Sequence, residues 1–182
     1  MKNSYHLIIL FFFLIHPFIA QATAMAPDII YINGEKWDLL ERPIKADPVL
    51  YGKLNKFLPQ DHRVINTSNF DGYTGYWILK EDRLYLQKIE VEMTDDKYPH
   101  KYSAEALKSI FAPYYTQYGI YAQWFTGEIR AGRGDVVRFD NWGFDRNYEE
   151  ECIITIEKGK IVEKRIVHYN KTENEIKPYS QN

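Results

Sequence analysis

Residues 125–140 read FTGEIRAGRGDVVRFD, and residues 152–170 read CIITIEKGKIVEKRIVHYN. Apolar and polar residues alternate along both stretches, and a period of two is typical of β-strands with one buried face. The two glycines of AGRGD, and Lys158-Gly159 further on, interrupt this alternation where a tight turn is expected. The sequence therefore predicts two consecutive hairpins, the first with AGRGD at the tip of its loop.

The same hairpin pattern occurs twice nearer the N-terminus. Residues 28–40 read DIIYINGEKWDLL, in which Asn33-Gly34 separates two alternating runs and favours positive φ at both positions. Residues 72–93 read GYTGYWILKEDRLYLQKIEVEM, a longer pair of runs that is expected to turn at Glu81-Asp82. Hairpins are thus predicted before and after the middle of the chain.

Two short helices are predicted between the strands. Residues 47–59, DPVLYGKLNKFLP, offer Asp47 as N-cap, Pro48 at the first helical position and Pro59 as a stop. Residues 103–115, SAEALKSIFAPYY, place their apolar side chains on one stripe of a helix that begins at Ser103. Together these elements predict an α+β fold, a curved antiparallel sheet built from hairpins with two short helices packed on it.

The first 24 residues have the features of a secretory signal peptide. Lys2 precedes an apolar run over residues 7–20, and small residues allow cleavage after Ala22 or Ala24. A membrane anchor is the alternative, but the run is shorter than the roughly 20 residues that a span needs. We expect an exported protein, periplasmic or secreted, with a single globular domain over residues 25–172 and a polar tail over residues 173–182.

Cysteine content and charge narrow the class of protein. Cys152 is the only cysteine, so no intramolecular disulfide can form, which favours a bacterial periplasm over an animal extracellular space. Lys and Arg number 23 against 25 Asp and Glu, whereas a nucleic-acid binder usually carries a basic excess. Nucleic-acid binding is therefore not expected, and the oligomeric state stays open.

The sequence carries no recognisable catalytic or cofactor motif. Its histidines lack metal-ligand spacing, and there is no G-x-S-x-G nucleophile turn. Alternation places Cys152 with Ile154 and Ile156 on one face, so we interpret it as a core residue. The acidic stretch DNWGFDRNYEEE, residues 140–151, does not fit a calcium loop and is interpreted as a solvated loop leading into a strand. No enzyme activity, metal or cofactor is expected.

The Arg133-Gly134-Asp135 tripeptide resembles an adhesion motif, but turn chemistry alone explains its residues. A weaker hypothesis is that charges around this predicted hairpin tip, with the residues that follow it, bind a partner protein. The candidate partner-binding residues are Arg130, Arg133, Asp135, Arg138, Trp142 and Arg146.

Residues 121–164, YAQWFTGEIRAGRGDVVRFDNWGFDRNYEEECIITIEKGKIVEK, resemble exported bacterial proteins without a characterised role. With its signal segment and its disulfide-free hairpin domain, the chain also resembles the periplasmic immunity proteins that protect bacteria from contact-delivered toxins. This resemblance implies stoichiometric inhibition of a toxin by direct binding. The alternative is a secreted carbohydrate-binding or carbohydrate-processing protein, suggested by aromatic residues beside Asp140, Asp145 and Glu149.

Overall fold

Strands make up most of the computed structural model, which describes residues 25–139 and 146–169. The first half contains β1 Asp28–Ile32, β2 Glu35–Leu39, a 3₁₀ helix Pro43–Ala46, α1 Pro48–Phe57, β3 Thr74–Lys80, β4 Arg83–Val91 and β5 His100–Ser103. The second half contains a 3₁₀ helix Ala112–Tyr114, β6 Tyr115–Thr116, β7 Gly119–Tyr121, β8 Gly127–Phe139, β9 Arg146–Glu157 and β10 Lys160–His168. The predicted signal segment and polar tail lie outside the described residues.

All ten described strands belong to one mixed sheet, in the order β10-β9-β8-β2-β1-β3-β4-β7-β6, with β5 also paired to β4. Neighbouring strands are antiparallel except for β1 and β3, which are parallel. Lys160 of β10 pairs with Arg83 of β4, so the path of strand pairings returns to a strand it has already passed. The α+β class is confirmed, while one parallel pair corrects the expectation of a purely antiparallel sheet.

Three of the predicted turns are confirmed. Asn33-Gly34 joins β1 to β2, Glu81-Asp82 joins β3 to β4, and Lys158-Gly159 joins β9 to β10. Both residues of each turn have positive φ, between 46° and 83°. Two-residue turns of this kind match the right-handed twist of the strands they connect, which explains why asparagine, aspartate and glycine occur there.

Helix α1 forms where the sequence predicts it. Its N-cap Asp47 accepts hydrogen bonds from the backbone amides of Val49 and Leu50, at 2.9 and 3.0 Å. The buried face is supplied by Leu50, Leu54 and, just past the helix, Leu58. A capped first turn and this apolar stripe are sufficient to specify a helix of three turns.

The second predicted helix is wrong. Residues 104–110 form a succession of turns, and the short 3₁₀ helix Ala112–Tyr114 follows them. Ser103 is held in β5 by its pairing with Lys88, and Pro113 has no amide hydrogen to continue a helical ladder. Leu107 and Phe111 are nevertheless fully buried, so the apolar periodicity reflects packing rather than helix.

The predicted curvature of the sheet stays a prediction.

The hydrophobic core is continuous from α1 to β9. Trp77 is its largest fully buried side chain, and residues of β4 and β9 belong to the same cluster. Cys152, Ile154 and Ile156 have no solvent exposure, which confirms the interpretation of Cys152 as a core residue. Burial raises the pKa of the Cys152 thiol, so the sulfur is held in its neutral form.

A buried ionic network joins β1 to the loop before β3. The Arg42 guanidinium lies 3.3 Å from Asp28 and 3.4 Å from Asp71, two carboxylates that are almost completely buried. Asp28 also accepts from the Gly75 amide at 2.9 Å and from the Trp77 indole at 3.0 Å. Burial raises the pKa of Asp28, and Arg42 with these two donors acts in the opposite direction. The network therefore keeps charge inside the fold through dense hydrogen bonding.

Candidate functional site

The hairpin of β8 and β9 extends beyond the strand next to it. β2 pairs with β8 at Asp38–Gly132 and Leu39–Ala131, close to the middle of β8. Among the described residues, the rest of β8 beyond Gly132 pairs with β9 alone. We call residues 133–139 and 146–150 the arm, and residues 127–132 and 151–157 the base. The arm is the candidate site because it holds most of the predicted partner-binding residues.

The predicted hairpin tip at AGRGD is wrong. Arg133 pairs with Glu150 and Val136 pairs with Tyr148, so the ladder of β8 and β9 continues on both sides of the tripeptide. The register shifts between these two pairs, which makes the segment a β-bulge inside a strand. Glycine with positive φ serves a bulge as well as a turn, and the sequence pattern alone does not distinguish them.

Gly134 is the residue that allows the bulge. Its φ is +83°, and a Cβ at this position would lie 2.7 Å from Oε2 of Glu149. The same Glu149 oxygen accepts a hydrogen bond from the backbone amide of Asp135 at 3.2 Å. The Glu149 side chain therefore fixes the extra residues of β8 against β9.

Arg133 is the first residue of the arm, and it lies against the buried core residue Trp37. Its Nε donates to Glu150 Oε2 at 2.5 Å, and its Nη1 pairs with the carboxylate of Glu35 from β2. The guanidinium also lies 4.4 Å from the ring centroid of Trp37, a cation–π arrangement on a buried indole. The hydrogen bond to Glu150 raises the pKa of Arg133, so this side chain keeps its positive charge.

Tyr148 and Glu151 hold the arm to the base. Tyr148 packs on Gly132, where a Cβ would lie only 2.1 Å from the ring, and its hydroxyl donates to Asp38 at 2.6 Å. Glu151 has no solvent exposure, and its Oε1 accepts from the Tyr148 amide at 3.0 Å and from the Asn147 side chain at 3.1 Å. Burial raises the pKa of the Tyr148 phenol, so Tyr148 acts as a hydrogen-bond donor here.

Arg130 lies in the base and is 9% exposed. Its backbone amide donates to the carboxylate of Glu41, and its Nε lies 3.5 Å from Glu41 Oε1. Burial raises the pKa of Glu41, and the bond from the Arg130 amide partly offsets this effect. The surroundings of Arg130 are therefore those of a structural ion pair.

Four of the other predicted residues lie in the arm, on both faces of the hairpin. Asp135 is exposed, and Arg133, Arg138 and Arg146 are half-buried. Arg138 pairs with Asn147 and Phe139 pairs with Arg146 on the next rung of the ladder, so the two arginines lie on opposite faces of the hairpin. The Arg146 guanidinium lies 5.5 Å from the Tyr148 ring centroid. Trp142 lies outside the described residues.

Sequence reasoning missed the residues that orient these arginines. Glu35 and Trp37 are far from Arg133 in the chain and meet it only because β2 is the neighbour of β8. Glu150 belongs to a stretch that was interpreted as a solvated loop, whereas β9 already begins at Arg146. The sequence did offer one signal, because residues 149–151 are all glutamates and the strand that pairs with them is rich in arginine.

The described part of the arm presents charged and hydrogen-bonding side chains. Within residues 25–139 and 146–169, no group of three or more His, Cys, Asp or Glu side chains could hold a metal ion. In the same residues, no helix is long and apolar enough to cross a membrane. No protein-family model matches the chain, and no curated protein or solved structure matches it.

Proposed function

We propose that this chain is an exported, non-catalytic binding protein that acts as an immunity protein, neutralising a bacterial toxin by stoichiometric binding. The arm is its contact surface, with Arg133, Asp135, Arg138 and Arg146 as partner-binding residues and Arg130 as support in the base. Trp142, outside the described residues, is the remaining partner-binding residue that we propose from the sequence. The signal segment and the absence of a second cysteine favour the periplasm as the place of action.

The observation that carries the proposal is the preorganisation of the arm. Arg133 is fixed on three sides by Glu35, Glu150 and Trp37. Tyr148 fixes the opposite strand through Asp38. A charged surface that is ordered before binding loses less side-chain entropy when a partner arrives. Half-exposed charges of this kind also steer association and select the partner.

The proposed curvature of the sheet fits the same function. The Lys160–Arg83 pair brings β10 next to β4, although β9, β8, β2, β1 and β3 separate these strands along the sheet. β8 and β9 contain 13 and 12 residues and β2 contains 5, so the hairpin extends past its neighbour. A projecting ribbon is suited to entering the cleft of a toxin.

The test first asks whether a gene beside this one encodes a secreted toxin, and then whether this chain protects cells from that toxin. The toxin is produced in the periplasm of a laboratory bacterium, alone or with the wild-type chain. We expect the wild-type chain to restore growth, and Arg133→Glu with Arg146→Glu to protect at least tenfold less well because two rim charges are reversed. Lys53→Glu with Lys56→Glu is the matched control, since both lysines are exposed on α1.

Two outcomes contradict different parts of the proposal. Equal killing with and without the wild-type chain would contradict the immunity function. Full protection by the arm variant would show that the contact surface lies elsewhere, and the immunity function would still be supported. Thermal unfolding of each variant is measured alongside, so that a loss of protection is separated from a loss of fold.

The carbohydrate alternative is not supported by the carboxylates that suggested it. Asp140 and Asp145 lie outside the described residues, and Glu149 is bonded to the amide of Asp135 in the bulge. A different part of the molecule has the side chains that a saccharide needs.

A further inference from the structure

A groove of about 380 Å³ lies on the other half of the sheet, between the end of β5 and the strands β6 and β7. It shares no residue with the arm. The side chains that matter here are those of Lys80, Gln87, Glu105, Tyr115, Thr116 and Tyr118.

The groove exists because the edge of β4 is divided between two partners. β7 pairs with β4 at Tyr85 and Leu86, and β5 pairs with β4 from Lys88 onward. On the opposite edge, β3 pairs with Leu86 and then with Lys88, so Gln87 is the extra residue of a β-bulge. A bulge redirects a side chain away from the regular alternation of a strand. Gln87 therefore lies where the two partner strands separate.

The position of the Gln87 amide is fixed. Its Nε2 donates to the carbonyl oxygen of Tyr118 at 2.6 Å. Gly119 approaches it so closely that a Cβ would lie 2.5 Å from Nε2, and its φ of +116° is one that glycine readily adopts. The amide also carries an acceptor oxygen beside that donor. The floor of the groove is thus a preformed polar group and not a mobile side chain.

Two tyrosines and two opposite charges line the groove. Lys80 Nζ lies 3.9 Å from the ring centroid of Tyr118, and the Tyr115 hydroxyl donates to the carboxylate of Glu105. That hydrogen bond lowers the pKa of Glu105, which therefore remains an ionised acceptor. Thr116 adds a hydroxyl group that is itself bonded to the carbonyl of Gly119 at 2.9 Å.

We propose that this groove binds a neutral oligosaccharide. Sugar hydroxyls donate and accept hydrogen bonds, and an amide, a carboxylate, an ammonium and a hydroxyl supply both kinds of partner. Tyrosine rings present apolar area with a polar end, which suits the mixed surface of a sugar ring. One positive and one negative charge balance each other, so the groove does not select an anion. Its volume is within the range of ligand sites, and its polar lining disfavours an apolar ligand.

The experiment screens the purified mature protein on a printed array of neutral, sulfated and sialylated glycans, followed by calorimetric titration with the strongest neutral glycan. Tyr118→Ala and Glu105→Ala should each weaken binding by about tenfold or more, the loss of one good contact. Tyr118→Phe keeps the ring and should bind within a few-fold of wild type. Glu163→Ala, at an exposed carboxylate on β10, is the matched control and should leave affinity unchanged.

Three results would overturn the inference: no neutral glycan bound on the array, binding confined to anionic glycans, or unchanged affinity in both Tyr118→Ala and Glu105→Ala. Far-ultraviolet circular dichroism confirms that each variant is folded. The arm variant, Arg133→Glu with Arg146→Glu, should bind the glycan as wild type does, and Glu105→Ala should still protect cells from the toxin. Failure of one proposal is thereby distinguishable from failure of the other.

Discussion

The base and the arm belong to one hairpin, yet different forces set their structure. In the base, Ile129, Ala131, Cys152 and Ile154 are completely buried, and apolar packing fixes the register of the strands. In the arm, a glycine bulge and the ion pairs of Arg133 fix the register, and much of the surface meets solvent. The difference teaches that substitutions in the base should act through stability alone, while substitutions in the arm should also change recognition.

The largest effect is expected from a charge in the base. Cys152→Asp should unfold the domain, because it buries a carboxylate among isoleucines without a partner. Cys152→Ala is the control and should lower the free energy of unfolding by only about 1 kcal/mol, since it removes one small group from the core. Circular dichroism and guanidinium titration measure both variants. A folded Cys152→Asp protein would show that the apolar face of the base accepts a carboxylate without a partner.

The same residue allows a test of burial without mutation. Because Cys152 is inaccessible and burial raises the pKa of its thiol, a thiol reagent should modify the native protein far more slowly than the unfolded chain. Modification at equal rates would contradict the packing of the base.

The second largest effect is expected at the bulge. Gly134→Val should lower the free energy of unfolding by roughly 1–2 kcal/mol, the cost of a left-handed conformation for a residue with a Cβ. Gly52→Ala in α1 is a contrasting control, because nothing lies within 4 Å of its Cβ position. In a helix this change should stabilise by roughly 0.5–1 kcal/mol. Denaturant titration of both variants decides whether backbone conformation matters at Gly134.

The position of AGRGD in a bulge, and not at a hairpin tip, is one feature that local sequence signals did not predict. Local signals predicted what local chemistry determines: the three two-residue turns, the capped helix α1 and the burial of Cys152. They did not predict that β2 would lie beside β8, that β1 and β3 would be parallel, or that Arg133 would meet Glu35. These contacts depend on which strands become neighbours, and no stretch of sequence records that choice by itself.

A smaller effect on stability is expected from the ion pairs of the arm. Arg133→Ala should lower the free energy of unfolding by less than Gly134→Val does, because its pairs are half-exposed and screened. Arg133→Lys should recover only part of this, since an ammonium lacks the planar fork and the stacking surface over Trp37. Both differences should shrink in high salt. A salt-independent loss as large as that of a core substitution would contradict this prediction, because it would show that packing and not screened charge accounts for the contribution of Arg133.

The smallest effect is expected at Asp135. Asp135→Glu preserves charge on an exposed residue and should change stability by less than about 0.5 kcal/mol. Its value lies in a binding assay, because the longer side chain disrupts receptor-type recognition of the Arg-Gly-Asp tripeptide. Loss of attachment to host cells in this variant alone would show that the tripeptide is a receptor ligand, besides being part of a bulge.

The strand order also determines when the sheet can be completed during synthesis. β1 and β2 leave the ribosome first, but β2 must wait for β8, and the Tyr148–Asp38 hydrogen bond joins residues 110 positions apart. Until β8 has been made, one edge of β2 is an open row of backbone donors and acceptors that any other strand can pair with. Contacts of such long range also slow folding. During this interval the open edge of β2 is an aggregation hazard for the newborn chain.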